Sequence, residues 1–234
     1  KMTQQKYTTN RSKDTAKPGK SSARDETRSM QDIMKARERI MDAAHETPMD
    51  KSSTFAEKSG VKSVGFKMEN LQKTGAFKIR GAYNKIAQLS EREKERGVIA
   101  ASSGNHAQGV ALAAQELEVN AKIVMPQGTA ESKIEATKGY GAEVVLAGDE
   151  YEEAYKHAKK LKEEQSLTFV HPYNDKDVIA GQGTLGLEMV EQFPELDTVL
   201  VAIGGGGLIS GVATAVKARN SDAKVIGVQT EGCG

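Results

Sequence analysis

Three stretches of the 234-residue chain carry residue types and spacings that could do chemistry. The first, NLQKTGAFKIRGAYN at 70–84, has Lys78 near its centre. Turn residues Lys73, Thr74 and Gly75 lead into a helical pattern in which Phe77, Ile79, Ala82, Tyr83 and Ile86 share an apolar face. Thr74 is the expected N-cap, with Gly75 bending the backbone behind it. Lys78 then falls in the first turn, where a cation opposes the helix dipole; a broken local rule of this kind points to function. A solvated lysine reaching away from the axis is the plain alternative. The second stretch, ASSGNHAQG at 101–109, follows an expected strand and opens a helix. Ligands of open parallel sheets collect at such strand ends, where helix N-termini present free N–H groups, and Ser103 and Asn105 add a hydroxyl and an amide. A capped turn with nothing bound fits the same residues. The third stretch, AIGGGGLI at 202–209, again runs from strand through glycines to helix. Four glycines, Gly204, Gly205, Gly206 and Gly207, leave no Cβ between the backbone N–H groups and a phosphate. The spacing is neither GxGxxG nor the P-loop pattern, which disfavours nucleotide-triphosphate chemistry.

A lysine at a helix start, a polar strand-end loop and a phosphate cradle together suit a phosphorylated aldehyde held as a Schiff base. Pyridoxal 5'-phosphate meets that description, with the cofactor as electron sink and the protein supplying orientation and electrostatics.

The elements that must position these groups follow from periodicity. Ile33, Ala36, Ile40, Met41 and Ala44 describe an amphipathic helix starting near Asp32 and closed by the Thr47-Pro48 step. A short helix over 52–59 and an alternating strand over 64–68 deliver the chain to Lys78. From Gly97 the chain alternates. Strands are expected at 98–101, 122–125, 143–146, 167–170, 198–203 and 224–228, and helices at 106–117, 131–138, 151–165, 178–193 and 209–218. This predicts parallel α/β architecture with both sheet faces covered. The Glu- and Lys-rich helix at 151–165 reads as a solvated face.

Composition narrows the function classes. The formal net charge is +1, which disfavours a nucleic-acid partner, and no apolar run is long enough to span a membrane. One cysteine, Cys233, forbids an internal disulfide and fits a reducing cytoplasm, and four scattered histidines make no metal pattern. Residues 1–30 hold eight Lys/Arg against three Asp/Glu and no Leu, Ile, Val or Phe, so they are expected to be a disordered basic tail.

The chain resembles the threonine/serine dehydratase (threonine ammonia-lyase) family, relatives of the serine racemases. ENLQKTGAFKIRGAYNKI, SSGNHAQG, KIEATKGYGAEVVLAG, FVHPYNDKDVIAGQGTLGLE and GGGGLISG follow its pattern in family order. The resemblance implies a tryptophan-synthase-β-like (fold type II) pyridoxal enzyme of two parallel α/β domains. Residues 31–96 would begin the large domain, 97–165 form an inserted small domain, and 166–234 continue the large one. It further implies that Lys78 forms the Schiff base and Asn105 bonds the cofactor's 3′ oxygen. Gly204, Gly205, Gly206, Gly207 and Leu208 would receive the phosphate. The implied activity is dehydration and deamination of L-threonine or L-serine to a 2-oxo acid and ammonia. Its substrate is a small amino acid, and a homo-oligomer is expected at full length. Departures from the pattern also matter. Ala76 stands where the family usually has a serine, Ser103 where racemases keep a serine acid/base and dehydratases an alanine, and Gln229 where racemases have a metal-binding glutamate. The chain also stops at Gly234, short of the family's length, so the C-terminal part of the large domain is expected to be missing. Serine racemisation with Ser103 as second acid/base, or a non-catalytic fragment, are the alternatives.

Overall fold

The computed structural model describes the backbone of residues 23–231 and the side chains of residues 29–231. Helix α1 (Ala23–Ile40) begins inside the stretch expected to be a disordered tail. Periodicity could not reveal its early turns, because the apolar face starts only at Met30 and Ile33; Met30 packs beside buried Ile33, Ala36, Leu187 and Ala215. The remainder of the expected tail, residues 1–22, lies outside the described residues. Since α1 ends at Ile40, Met41 leaves the apolar face and is exposed, whereas Ala44 turns back onto Ile40 and is buried.

Strand β1 (Met49–Lys51) pairs antiparallel with β2 (Gly65–Lys67) around helix α2 (Ser53–Ser59). A 3-10 turn at Glu69–Leu71 follows, then α3 (Lys78–Ile86) and α4 (Glu91–Arg96), the latter opened by a Ser90–Glu93 capping box. Next come β3 (Val98–Ala101), α5 (Asn105–Glu116), β4 (Ala121–Met125), α6 (Glu131–Gly139), β5 (Glu143–Leu146), α7 (Tyr151–Gln165) and β6 (Thr168–Phe169). Their strands form one parallel sheet in the order β5-β4-β3-β6. Here the expected double covering holds. Val98, Ala100, Ile123 and Met125 face the cluster of α3 and α5, and Ile99, Ala101 and Val124 face Ala154 and Ala158 of α7.

Helix α8 (Lys176–Gln192), β7 (Thr198–Ala202), α9 (Gly207–Arg219) and β8 (Lys224–Val228) complete the chain. Strands β7 and β8 pair in parallel but make a separate two-stranded sheet, covered on one face only. Val199 and Val201 turn inward with Val212 and Val216, whereas Leu200 is 68% exposed and Val228 53%. The expectation that 224–228 is a buried strand therefore holds for its pairing and fails for its burial: among the described residues no element covers that face.

Close helix crossings hold these parts together. A Cβ on Gly181 of α8 would lie 2.4 Å from the Arg80 carbonyl oxygen, so α3 and α8 touch backbone to backbone. The crossing fixes the start of α3, and hence Lys78, against the rigid body of the chain.

Candidate active site

Lys78 is the first residue of α3, as its place in the first turn required, but Thr74 does not cap that helix. The capping position is Phe77, with no side-chain bond, and the Thr74 hydroxyl donates instead to the Ala76 carbonyl. The turn before it does use Gly75 at φ +69, a conformation L side chains rarely adopt. The Lys78 amine donates to the Pro172 carbonyl oxygen at 2.8 Å and has no carboxylate partner. Its Nζ also lies 5.2 Å from the centre of the Phe77 ring. Burial without a counter-ion pushes its pKa below the ordinary lysine value. That shift is what a lysine needs to be a nucleophile or base near neutrality.

Two residues on, Arg80 explains how α3 is held. Its guanidinium is 1% exposed and bonds both oxygens of Glu69 and of Glu188, the Thr184 hydroxyl and the His45 carbonyl. Lys67 adds a second cation at Glu188. Burial opposes the Arg80 charge, but the hydrogen bonds to Glu69 and Glu188 outweigh it and push its pKa further up. The sequence reading missed this network, since the partners are up to 108 residues apart.

The second stretch meets Lys78 through Gly109. A Cβ there would fall 3.0 Å from the Lys78 carbonyl carbon and 3.1 Å from the Ile79 nitrogen, so only glycine lets α5 lie this close to the start of α3. Asn105 is the exposed first residue of α5, and Ser103 lies half-buried in the turn before it. Neither side chain hydrogen-bonds to Lys78 or to the glycine run. The hydroxyl that organises the turn belongs to Ser102, which accepts from the Gly104 N–H at 3.2 Å. His106 is fully enclosed, with Nε2 on the Val170 carbonyl at 2.9 Å and Nδ1 without a partner. Burial lowers its pKa to about 3, so the ring is neutral and Nε2 carries the proton.

In the third stretch, Gly206 takes φ +84 and caps α9, and the N–H groups of Gly204, Gly205, Gly206, Gly207 and Leu208 meet no acceptor among the described residues. Successive backbone donors without an acceptor, leading into a helix N-terminus, fit an anion such as a phosphate. The lysine, short of a counter-ion, fits an aldehyde partner. The chemistry of this donor set therefore suits pyridoxal phosphate. The four glycines do not act alike. A Cβ on Gly205 would strike the Tyr173 ring at 2.2 Å and one on Gly207 the Tyr173 carbonyl at 2.7 Å, whereas one on Gly204 would meet nothing within 4 Å.

What joins the three stretches is a fourth, Val170 to Asn174. Val170 accepts from His106, Pro172 from Lys78, and Tyr173 lies on the glycine run. No site role for this segment was legible in its residues. The histidine in HPYN was its only signal: His171 Nδ1 accepts from the N–H groups of Tyr173 and Asn174, folding the turn. No cluster of His, Cys, Asp or Glu among the described residues could hold a metal.

Likeness to known proteins runs along the same residues. The family model described as "Pyridoxal-phosphate dependent enzyme" matches residues 40–234. Over 202 residues the chain is 54% identical to a Thermotoga maritima protein named L-threonine ammonia-lyase, covering 86% of this chain and 50% of that one. The solved structure of the processed form of threonine deaminase isoform 2 from Solanum lycopersicum superposes with a TM-score of 0.88 at 42% identity, over 92% of this chain and 59% of that one. Maize serine racemase superposes with a TM-score of 0.84 at 42% identity, over 87% and 61%. The chain thus spans about half the length of the curated relative it matches.

Proposed function

Because the chain belongs to the family of pyridoxal-phosphate-dependent enzymes, we propose that it is the cofactor-bearing part of an ammonia-lyase acting on L-threonine or L-serine. The reaction converts the hydroxyamino acid to a 2-oxo acid and ammonia. The observation that carries the proposal is the state of Lys78, a half-buried amine without a counter-ion, lowered in pKa and bonded to a turn whose Tyr173 lies against Gly205 and Gly207 of the glycine run. When bound, pyridoxal phosphate supplies the electron sink that makes a Cα proton removable. The chain's residues do the rest. Lys78 would attach the cofactor and, once released from it, would take the Cα proton as a neutral amine. Backbone N–H groups of Gly204, Gly205, Gly206, Gly207 and Leu208 would hold the phosphate, and Asn105 would bond the 3′ oxygen. Likeness to a protein named L-threonine ammonia-lyase at 54% identity supports the substrate class.

Residues 97–165 are proposed as the inserted small domain; the four-stranded sheet that supports this reading also takes in β6, just beyond it. The full-length protein is proposed to be a cytoplasmic homo-oligomer with no nucleic-acid partner. The lone Cys233 supports the compartment and the open β7–β8 face supports association. No described helix is long and apolar enough to cross a membrane.

Serine racemisation is the second reading, favoured by Ser103, a half-buried serine in the turn before α5, and by the likeness to maize serine racemase. Incubating the chain with pyridoxal phosphate and then borohydride should fix the label on Lys78, and L-threonine should yield 2-oxobutyrate. A label on another lysine refutes the site. D-serine formed from L-serine without 2-oxo acid would favour racemisation.

A further inference from the structure

The turn His171–Asn174 touches both halves of the site at once. Its Pro172 carbonyl takes the Lys78 amine at 2.8 Å, and its Tyr173 ring lies on the glycine run, where even a Cβ at Gly205 would find ring carbons at 2.2 Å. The turn is folded as one body. His171 Nδ1 accepts the Tyr173 N–H at 3.2 Å and the Asn174 N–H at 2.8 Å, and the His171 and Tyr173 rings meet edge to face at 4.7 Å. Asp175 caps α8 directly behind it through bonds to Asp177 and Val178, so the turn is anchored at its C-terminal end. Before it, Val170 is pinned by His106. A segment fixed at both ends, with an internally bonded middle, can shift as a unit and cannot easily move one contact alone.

We propose that this turn is a strap that closes the reactive amine and the phosphate cradle together, and that a phosphate settling on the glycine run displaces Tyr173 and thereby frees Lys78 from Pro172. The proposal rests on the reading of function given above and adds to it the order of events. Anchoring of the phosphate precedes, and makes possible, attack by the Lys78 nitrogen on the aldehyde carbon, in which a C=N bond replaces the C=O bond and the oxygen leaves as water with the two amine protons. An aldehyde without a phosphate would meet Lys78 still held. Discrimination in favour of phosphorylated aldehydes would then come from release of the lysine as well as from direct binding energy, because a ligand shifts a two-state element only by its differential affinity for the two states.

Two measurements test it. In the first, the 234-residue chain, without pyridoxal phosphate, is treated with formaldehyde and cyanoborohydride, and methylation of each lysine is followed by peptide mapping. Inorganic phosphate should accelerate methylation of Lys78 by about threefold to tenfold, the range expected for undoing one aromatic packing contact, and leave Lys85 and Lys73 unchanged. No selective acceleration overturns the strap, whatever the enzyme's activity. In the second, the rate of pyridoxal phosphate attachment is read by absorbance. Tyr173→Ala should attach it about threefold to tenfold faster, and should narrow the rate difference between pyridoxal phosphate and pyridoxal. Tyr173→Phe, which keeps the ring, should behave as the parent. A Tyr173→Ala rate equal to or below the parent's overturns the proposal. If Tyr173→Ala does not fold, the phosphate arm on the unaltered chain decides. Since that arm uses no pyridoxal phosphate, a failure of the strap is distinguishable from a failure of the lyase reading, which would show as no attachment at Lys78.

Discussion

At the scale of single residues, burial without a counter-ion sets the proton affinity of the two groups that stand out. Lys78 and His106 both lose affinity for protons because each sits away from water with no carboxylate beside it. For His106 the consequence is a stability that falls in acid. Its pKa is about 3 folded against an ordinary 6.5, so between those values the unfolded chain binds a proton that the folded one refuses. Stability is lost as pH falls through that window, by up to about 1.4 kcal/mol per pH unit from this group. Denaturant unfolding at pH 7 and pH 5 should show the loss, and His106→Gln, which keeps a donor for Val170 but does not titrate, should show a shallower decline. Equal slopes would mean that His106 titrates normally. The glycine run offers a second test at this scale. Gly205→Val, the obvious probe of the cradle, would drive a branched side chain into Tyr173 and confuse the phosphate with the strap. Gly204→Ala is cleaner, since its Cβ meets nothing within 4 Å. It should leave the melting temperature within a degree or two while weakening pyridoxal phosphate binding severalfold. Unchanged binding would move the cradle elsewhere.

At the scale of elements, the site depends on how closely three helices approach. The crossing of α3 and α8 leaves no room at Gly181, where a Cβ would lie 2.4 Å from the Arg80 carbonyl. Backbone cannot rotate out of the way as a side chain can. Gly181→Ala should therefore destabilise by about 1–3 kcal/mol, the usual cost of overpacking, even though alanine is the better helix former by about 1 kcal/mol. Gly139→Ala at the end of α6, with nothing within 4 Å, should be neutral or stabilising, and serves as the control in the same denaturation series. Gly109→Ala is the informative intermediate. Its Cβ would press at 3.0 Å on the Lys78 backbone, a misfit that a few tenths of an ångström relieves. The helix-propensity gain offsets much of that cost, so stability should change little while attachment of pyridoxal phosphate to Lys78 slows. A variant with parental attachment kinetics would show that the α5 contact does not set the lysine's position.

At the scale of the whole molecule, the parallel pair β7–β8 is the weak point. Two strands alone make a marginal sheet, and this one turns Leu200, Ile226 and Val228 outward. Clustered apolar groups on an unpaired sheet invite association. The 234-residue chain made alone should therefore elute from a sizing column as oligomer or aggregate, and Leu200→Lys with Ile226→Thr should shift it towards monomer. A well-behaved monomer before substitution would show that this face tolerates water. The interior is otherwise well secured. Arg37 and Glu191 tie α1 to α8 at the surface, and the Arg80–Glu188–Lys67 cluster ties α8 to α3 and to the β1–β2 pair beneath.

By itself the sequence determined most of the elements and, through three stretches, pointed to pyridoxal phosphate. Strands 98–101, 143–146 and 224–228 were legible to the residue, since alternation along a strand and 3.6-residue spacing along a helix are local properties of which side chains share a face. Lys78 was legible because a cation in a first helical turn conflicts with its surroundings, and the glycine run because no simple turn needs four. Tertiary structure alone decided the rest. The three-residue strands β1 and β2 pair residues too far apart for any periodicity to join them, and the strands divide into three sheets. The partner of Lys78 lies 94 residues away and is a backbone carbonyl, a group that every residue carries and no motif marks. Nothing local marks Arg80 as a core residue, yet Glu69 and Glu188 hold it there. A contact between distant residues arises from packing the whole chain, and only the folded molecule could disclose that Tyr173 lies on the glycines.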